Sequence, residues 1–501
     1  MDLASAPPAP APAAADPRRW WGLGVIGLAQ LMVVLDMTIV NIALPSAQAD
    51  LGISDGDRQW VVTAYTLAFG GLLLLGGRIG DLIGRKRTLM IGLVGFAAAS
   101  ALGGAATSAA MLLGARGLQG VFAALLAPAA LSLLTVTFTE PRERARAFGI
   151  YGAIAGGGSA LGLIVGGLLT EYLDWRWTLL VNAPIAIVAV VGAAYLLQDR
   201  RERTGARLDV AGALLASLGL LSLVYGLSEA EQSGWTSGPV LAFLAVGLAL
   251  LAAFVVVEQR VAQPLLPMRI PRDRSRGGAL LAIGLSTVGM FGVFLFMTYY
   301  LQVIQGYSPV RTGLAFLPMT AGMMTGAVGI ASRLLPRVGP RALMVPGLLI
   351  AASALAYLTQ IEVGSSYVTH VLPSLAFLGL GMGMTFMPAM ATATSGVQGR
   401  DAGVASASVN TSQQVGGSIG IALLNTIATS ATSSYLAENG SGTDLAVAVG
   451  AVHGFSTAIW YSVAFLLVSA VIAAVMITAR PSHGRGSVPA AAAAEPVPVL
   501  G

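Results

Sequence analysis

Long apolar runs alternate with short polar segments along most of the 501-residue chain. Each run is about 20 residues long, the length that an α-helix needs to cross the hydrocarbon core of a bilayer. The pattern predicts fourteen membrane-spanning helices and an all-α fold. The predicted spans lie near residues 21–44, 58–77, 88–107, 111–135, 148–170, 178–197, 210–228, 239–257, 279–302, 312–332, 342–360, 369–391, 403–428 and 455–478.

Composition places the chain among polytopic membrane proteins and excludes several functions. Hydrophobic residues make up 55% and charged residues 10%, against about 25% charge in soluble proteins. Cysteine is absent, the three histidines have no metal-ligand spacing, and the only lysine lies outside any phosphate-binding loop. We therefore expect no enzyme activity, cofactor, metal or ATP drive. The arginines are dispersed among loops, so the net charge of +5 does not indicate a nucleic-acid partner.

Basic residues predict the orientation. With both termini in the cytoplasm, 24 of the 28 Lys and Arg residues fall in cytoplasmic segments, as the positive-inside rule requires. Shifting the count by one helix would destroy this asymmetry. The sequence thus predicts a multi-pass protein of the cytoplasmic membrane. A monomeric state and a proton gradient as the energy source are separate expectations that do not rest on this charge pattern.

A faint internal repeat predicts two bundles. Ala127-Pro128-Ala129 in span four resembles Met387-Pro388-Ala389 in span twelve. Pairing spans 1–6 with 9–14 leaves spans 7 and 8 as an insertion. Paired six-helix bundles are a transporter architecture with the substrate site between them. The predicted domains are a disordered tail at 1–19, an N-terminal bundle at 20–197, a linker with two extra helices at 198–276, a C-terminal bundle at 277–479 and a disordered tail at 480–501.

Two ionisable residues, Asp36 and Arg116, lie inside membrane-length helices. A charge at membrane depth is costly, so it indicates a functional site and a nearby partner that compensates the charge. Both residues fall in the outer half of the bilayer, where an Arg–carboxylate pair would satisfy both charges. A static ion pair is one interpretation. The other is a carboxyl that alternately binds a proton and engages Arg116, because burial favours the neutral acid and a cation favours the anion.

The loop between spans two and three has the spacing Gly-x3-Asp-x2-Gly-Arg-Lys, formed by Gly77, Asp81, Gly84, Arg85 and Lys86. A basic loop that only sets topology is the simpler interpretation. The spacing resembles the signature loop of the major facilitator superfamily. That resemblance implies a conformational latch.

Further segments strengthen the resemblance. Leu35 to Pro45 (LDMTIVNIALP) is similar to the first span of the 14-helix drug:proton antiporters of that superfamily. Trp175-Arg176-Trp177 with Asn182-Ala183-Pro184 resembles the same family's entry into span six, and Tyr300-Leu301-Gln302 with Gly306 to Pro309 its exit from span nine. The resemblance covers residues 20–478. It implies efflux of lipophilic compounds in exchange for protons.

Span five departs from the antiporter motif of that superfamily. Leu163 stands where the motif usually has proline, which should remove a kink point. The glycine ladder remains and allows close helix packing. Its members are Gly158, Gly162, Gly166 and Gly167.

Polar and flexible side chains at membrane depth are candidates for a substrate cavity. They could equally well join helices by hydrogen bonds. The candidates are Asn41, Gln119, Tyr299, Tyr300, Gln302, Met384, Asn410, Gln413 and Gln414.

These features predict a proton-coupled antiporter that exports small lipophilic or cationic drugs. A dedicated exporter of one endogenous metabolite or antibiotic fits the same sequence. Proton-symporting uptake and a non-transporting membrane receptor are further alternatives; the antiporter motif disfavours uptake, and pH-coupled flux would exclude a receptor.

Overall fold

The computed structural model describes residues 19–138, 140–197, 209–262, 264–395, 402–440 and 443–478. Within these ranges the chain is helical and contains no strand, which confirms the all-α prediction. The two predicted disordered tails lie outside the described residues, apart from Arg19. The long helices are α1 Arg19–Leu51, α2 Trp60–Ile83, α3 Arg85–Gly104, α4 Ala109–Thr137, α5 Pro141–Tyr172, α6 Trp177–Leu196, α7 Val210–Ser233, α8 Gly238–Arg260, α9 Arg274–Ile304, α10 Pro309–Val338, α11 Arg341–Leu358, α12 Tyr367–Thr394, α13 Ala402–Asn439 and α14 Asp444–Met476.

Each predicted span coincides with one of these helices. Thirteen of them, all except α5, are apolar and long enough to cross a membrane. α5 is 32 residues long and begins with a charged turn. Several helices extend beyond the predicted apolar run: α13 continues from the predicted end at 428 to Asn439 through a Ser/Thr-rich segment. Helical hydrogen bonding therefore continues past the apolar region that the sequence pattern detects.

The N-terminal six helices form one bundle. In it α1 packs against α5 and α6, α4 packs against α2 and α3, and α3 packs against α6. The last six helices repeat these contacts in the same order: α9 packs against α13 and α14, α12 against α10 and α11, and α11 against α14. Pairing α1–α6 with α9–α14 thus relates the two bundles, as the proline-containing repeat predicted.

Most contacts between the bundles are made by two helix pairs, α2 with α13 and α5 with α10. The α7–α8 hairpin is the insertion between the bundles. α7 packs against both α2 and α13, so the hairpin covers one of the two seams. The architecture is two six-helix bundles with two extra helices beside them.

Candidate functional site

Asp36 and Arg116 form an ion pair inside the N-terminal bundle. Arg116 Nη1 lies 2.6 Å from Asp36 Oδ2, and the side chains are 1% and 0% exposed. Asp36 is near the middle of the 33-residue α1, and Arg116 is two turns into α4. Each buried charge therefore has a partner of opposite sign, which such charges need in a medium of low dielectric constant.

Two amides complete the environment of the Asp36 carboxylate. Gln119 Nε2 and Asn182 Nδ2 each donate to Asp36 Oδ1 at 2.9 Å. Arg116 is itself held by a bond of 2.9 Å from Nε to the carbonyl of Val61. With three donors on its two oxygens, Asp36 has the hydrogen bonds that an ionised carboxylate accepts. The arrangement accommodates the anion with Arg116 engaged.

The sequence pattern predicted site roles for Asp36, Arg116 and Gln119 but none for Tyr65, Ser100 or Asn182. Ser100 Oγ accepts from Gln119 Nε2 at 2.7 Å, and the Arg116 guanidinium lies 4.5 Å from the centre of the Tyr65 ring. A lone polar residue in an apolar helix was the available signal for Ser100 and Asn182. Such residues occur wherever helices hydrogen bond, so the signal alone does not select them.

The ion pair lies beside the seam between the bundles. Met37, which follows Asp36, contacts Gln414 of α13, with 3.9 Å between the thioether sulfur and Gln414 Nε2. Asn41, one turn further along α1, donates to the carbonyl of Met37 at 2.7 Å. Gln414 Oε1 is buried and accepts no hydrogen bond. Gln414 Oε1 is thus an unsatisfied acceptor on a residue that contacts Met37 across the seam.

The glycines of α5 face the helix that carries Asp36. A Cβ at Gly162 would lie 1.8 Å from Thr38 Oγ1, and one at Gly166 would lie 3.1 Å from the Ile39 Cα. Gly158 faces the side chains of Leu31 and Val34 at 3.0 Å or more. The ladder thus lets α5 approach α1 closely on both sides of Asp36, as small residues do between membrane helices.

The opposite face of α5 meets the C-terminal bundle. A Cβ at Gly167 would lie 2.7 Å from the Cα of Val310, and one at Gly313 would lie 2.3 Å from the Leu163 carbonyl. Leu163 is 1% exposed in this contact. α5 runs as one helix through the position where the antiporter motif usually has proline. Leu163 therefore packs at the bundle interface without interrupting the helix.

The bundles are closed at the Leu51 end of α1. Arg58 donates from Nε to Asn425 Oδ1 of α13 at 3.3 Å, and its guanidinium lies 4.0 Å from the Tyr299 ring centre. The Tyr299 hydroxyl donates to Gln48 Oε1. A cation–π contact contributes only about 0.5–2 kcal/mol, so this contact does not hold the two bundles together by itself.

The remaining cavity candidates are spread between the seam and the C-terminal bundle. Gln302 Nε2 donates to the Ile42 carbonyl across the seam at 2.9 Å. Tyr300 is fully buried with its hydroxyl on the Glu362 carbonyl at 2.7 Å, and Met384 packs in a core cluster of the C-terminal bundle. Asn410 and Gln413, on α13, are half-buried. Tyr300 and Met384 are thus apart from the other candidates.

The loop between α2 and α3 is a single residue, Gly84, with φ +100°. This left-handed conformation favours glycine. Lys86 Nζ donates to the carbonyls of Ala194 and Leu197 at 2.7 Å each, at the end of α6. Arg85 begins α3. A Cβ built on Gly77 would lie 3.6 Å from the Pro128 Cβ. The side chain of Asp81 lies outside the described residues, so its latch role stays a prediction.

Comparison with known proteins identifies the family. Residues 26–421 match the sequence profile of the Major Facilitator Superfamily, which is most of the chain. The chain belongs to the major facilitator superfamily. It is a multi-pass cell-membrane transporter rather than an enzyme.

Two relatives of this major facilitator are named as an antibiotic resistance protein and an antibiotic export protein. The chain is 56% identical to the puromycin resistance protein pur8 of Streptomyces alboniger, over 93% of this chain and 92% of that protein. It is 41% identical to the cephamycin export protein CmcT of Amycolatopsis lactamdurans, over 82% and 85% respectively. These identities extend over nearly the whole helical region.

Solved structures agree on the fold. A bacterial homologue of the human lysosomal transporter Spinster, in an inward-facing and unoccupied conformation, superposes with a TM-score of 0.64 at 16% identity. The match covers 92% of this chain and 97% of that one. At this identity the similarity establishes a shared major facilitator fold and nothing about substrate.

Proposed function

We propose that the protein is a proton-driven antiporter that exports a small amphipathic antibiotic across the cytoplasmic membrane, with both termini in the cytoplasm. The Asp36–Arg116 pair carries the coupling part of the proposal. The next residue, Met37, contacts Gln414 across the seam, so a change at the Asp36 carboxyl would be transmitted to the seam that must open and close. The relatives' names support export and the substrate class.

Proton exchange at Asp36 would work through its three hydrogen bonds. Ionised Asp36 binds the Arg116 guanidinium and the amides of Gln119 and Asn182. Protonation removes the charge and weakens the bond to Arg116, since charge-assisted bonds are roughly twice as strong as neutral ones. α1 is then less strongly held to α4 and α6, and rearrangement of α1 would be transmitted to α5 through the glycine ladder.

The orientation follows from charge. The Arg19 end of α1 is assigned to the cytoplasm because the basic residues are concentrated on that side. The closed Leu51 end would then face outward. An exporter closed on that side would take up its substrate from the cytoplasm or the inner leaflet when its other end opens.

A dedicated antibiotic exporter is favoured over a broad multidrug pump. The specific support is the 56% identity to a protein named for resistance to one antibiotic. Puromycin is therefore the first compound to test, and lipophilic cationic dyes represent the multidrug alternative. Export of puromycin but not of dyes would favour a dedicated exporter.

The test is transport in energised inside-out vesicles from cells that express the chain. We expect an inward-acidic gradient to drive accumulation of puromycin and a protonophore to abolish it. The Asp36→Asn variant should show no gradient-driven accumulation, and Glu438→Gln, at an exposed carboxyl of α13, should behave like wild type. Gradient-independent accumulation would exclude proton coupling, and accumulation only with the opposite gradient would indicate a symporter for uptake.

A further inference from the structure

The α7–α8 hairpin contains two buried carboxyls at one end. Asp209 caps the start of α7, with Oδ1 accepting from Gly212 N at 2.8 Å, and is 7% exposed. Glu258, in the last turn of α8, is 3% exposed, with Oε2 accepting from Leu266 N at 2.9 Å. Glu258 lies one residue past the predicted span 239–257, so the sequence analysis did not treat it as a buried acid.

The second oxygens of the two carboxyls face each other. Asp209 Oδ2 and Glu258 Oε1 are buried and have no hydrogen-bond partner. A Cβ built on Gly212 would lie 2.5 Å from the first and 2.7 Å from the second. Both oxygens therefore lie next to the space that a side chain at residue 212 would occupy, and only glycine leaves that space free.

No cation in the described part of the chain forms an ion pair with this carboxyl pair. Arg78, from α2, donates its Nη2 to the carbonyl of Pro264 at 2.8 Å. Arg260 on α8 and Arg269 on the following one-turn helix are exposed. On α13 the titratable side chains of the described residues are Tyr435 and Glu438, near the Asn439 end. On the same helix, Asn425 accepts from Arg58 of the N-terminal bundle.

Two adjacent buried carboxyls cannot both be ionised at low cost when no cation pairs with them, and none of the described residues supplies one. One proton between them removes one charge. The resulting O–H group donates to the facing oxygen, so both free oxygens gain a partner. Short carboxyl–carboxylate bonds of this kind are stronger than neutral hydrogen bonds.

We propose that Asp209 and Glu258 hold one proton between them and form a second proton-binding site, separate from Asp36, at the end of the inserted hairpin. Glu258 also accepts from Leu266 N, and Arg78 donates to the Pro264 carbonyl in the same segment. This segment leads from the hairpin into the C-terminal bundle. Loss of the proton places two anions side by side, and their repulsion separates the start of α7 from the end of α8. The site senses alkaline pH on its side of the membrane.

Infrared spectroscopy of the purified full-length protein tests proton sharing directly. We expect a protonated-carboxyl absorption that disappears as pH rises and is absent in both Glu258→Gln and Asp209→Asn. Asparagine can still cap α7, so the second variant separates the loss of a proton from the loss of a helix cap. Glu438→Gln should retain the band. A band unchanged in both site variants would overturn the proposal.

The mechanical consequence has its own test, because the chain contains no cysteine. The Ala213→Cys variant, at a buried position beside Gly212, should react with a maleimide several-fold faster at mildly alkaline than at mildly acidic pH, after correction for thiol ionisation with free cysteine. In the Glu258→Gln background, whose neutral amide replaces the acid, the corrected rate should not change with pH. Equal pH dependence in both backgrounds, or specific binding of a sodium or calcium ion that Glu258→Gln abolishes, would contradict a shared proton.

Discussion

Arg116 binds Asp36 through a single nitrogen, Nη1, at 2.6 Å, and the same nitrogen donates to Gln119 Oε1 at 2.8 Å. Its Nε is bound separately to the Val61 carbonyl. Arg116 therefore keeps two partners when Asp36 is neutral. This arrangement suits a carboxyl that gains and loses a proton, since the arginine is not left without acceptors in either state.

Replacing Asp36 by asparagine should abolish proton-driven export. The amide cannot carry the proton, and its one oxygen replaces two acceptors. Loss of one partner of a buried ion pair costs about 3–5 kcal/mol in soluble proteins, so a lower melting temperature is expected as well. Vesicle transport and thermal unfolding of the same preparation measure the two effects. Wild-type pH-dependent export by a folded variant would exclude Asp36 as the coupling group.

Arg116 should tolerate lysine better than alanine. Lysine retains a charge near Asp36 but lacks the planar fork that reaches Asp36 and Val61 together. We expect alanine to reduce the export rate at least about tenfold, as about 1.4 kcal/mol of lost stabilisation would do, and lysine to retain part of the activity. The measurement is initial rate against pH. An alanine variant with the wild-type profile would show that the pair is static.

Gly162→Ala should impair the transporter and Gly157→Ala should not. A Cβ at residue 162 would lie 1.8 Å from Thr38 Oγ1, whereas one at residue 157 has nothing within 4 Å. The first substitution must push α5 away from α1 beside Asp36. The second should be neutral or slightly stabilising, because alanine favours helix. The measurements are the thermal stability and the export rate of the two variants. Equal values would mean that α5 does not need close contact with α1 at residue 162.

Tyr299→Phe should weaken closure at the Leu51 end. The substitution removes the bond to Gln48 but leaves the ring beneath Arg58. Spin labels at Ala49→Cys and Ala437→Cys, both exposed, report the separation of the two bundles, and no native cysteine interferes. We expect a larger fraction of molecules with a long distance between the two spin labels than in the protein that retains Tyr299. An unchanged distribution would indicate that Gln48 and Tyr299 do not control this end.

The loop at Gly84 should control rate rather than affinity. Lys86→Met removes two bonds to the end of α6, and Asp81→Asn tests the predicted latch. Both variants should slow export while equilibrium binding of substrate in detergent changes little, since a contact present in one state only shifts populations. A large loss of binding with unchanged state populations would place Asp81 in the substrate site.

The sequence by itself determined the fourteen helices, the all-α membrane class, the two-bundle repeat and the pairing of Asp36 with Arg116. These follow from local composition and from the cost of a charge in hydrocarbon, which permits few exceptions. The family motifs narrowed the class further, and residues 26–421 support that assignment.

Only the tertiary structure decided which polar groups meet. Ser100 and Asn182 join the Asp36 site, while Tyr300 and Met384 pack within the C-terminal bundle. Asp209 and Glu258, about fifty residues apart, converge beside Gly212. Such contacts depend on helix rotation and on which helices become neighbours. The hydrophobic pattern along the chain does not encode them, because lipid-facing and buried helix faces are both apolar.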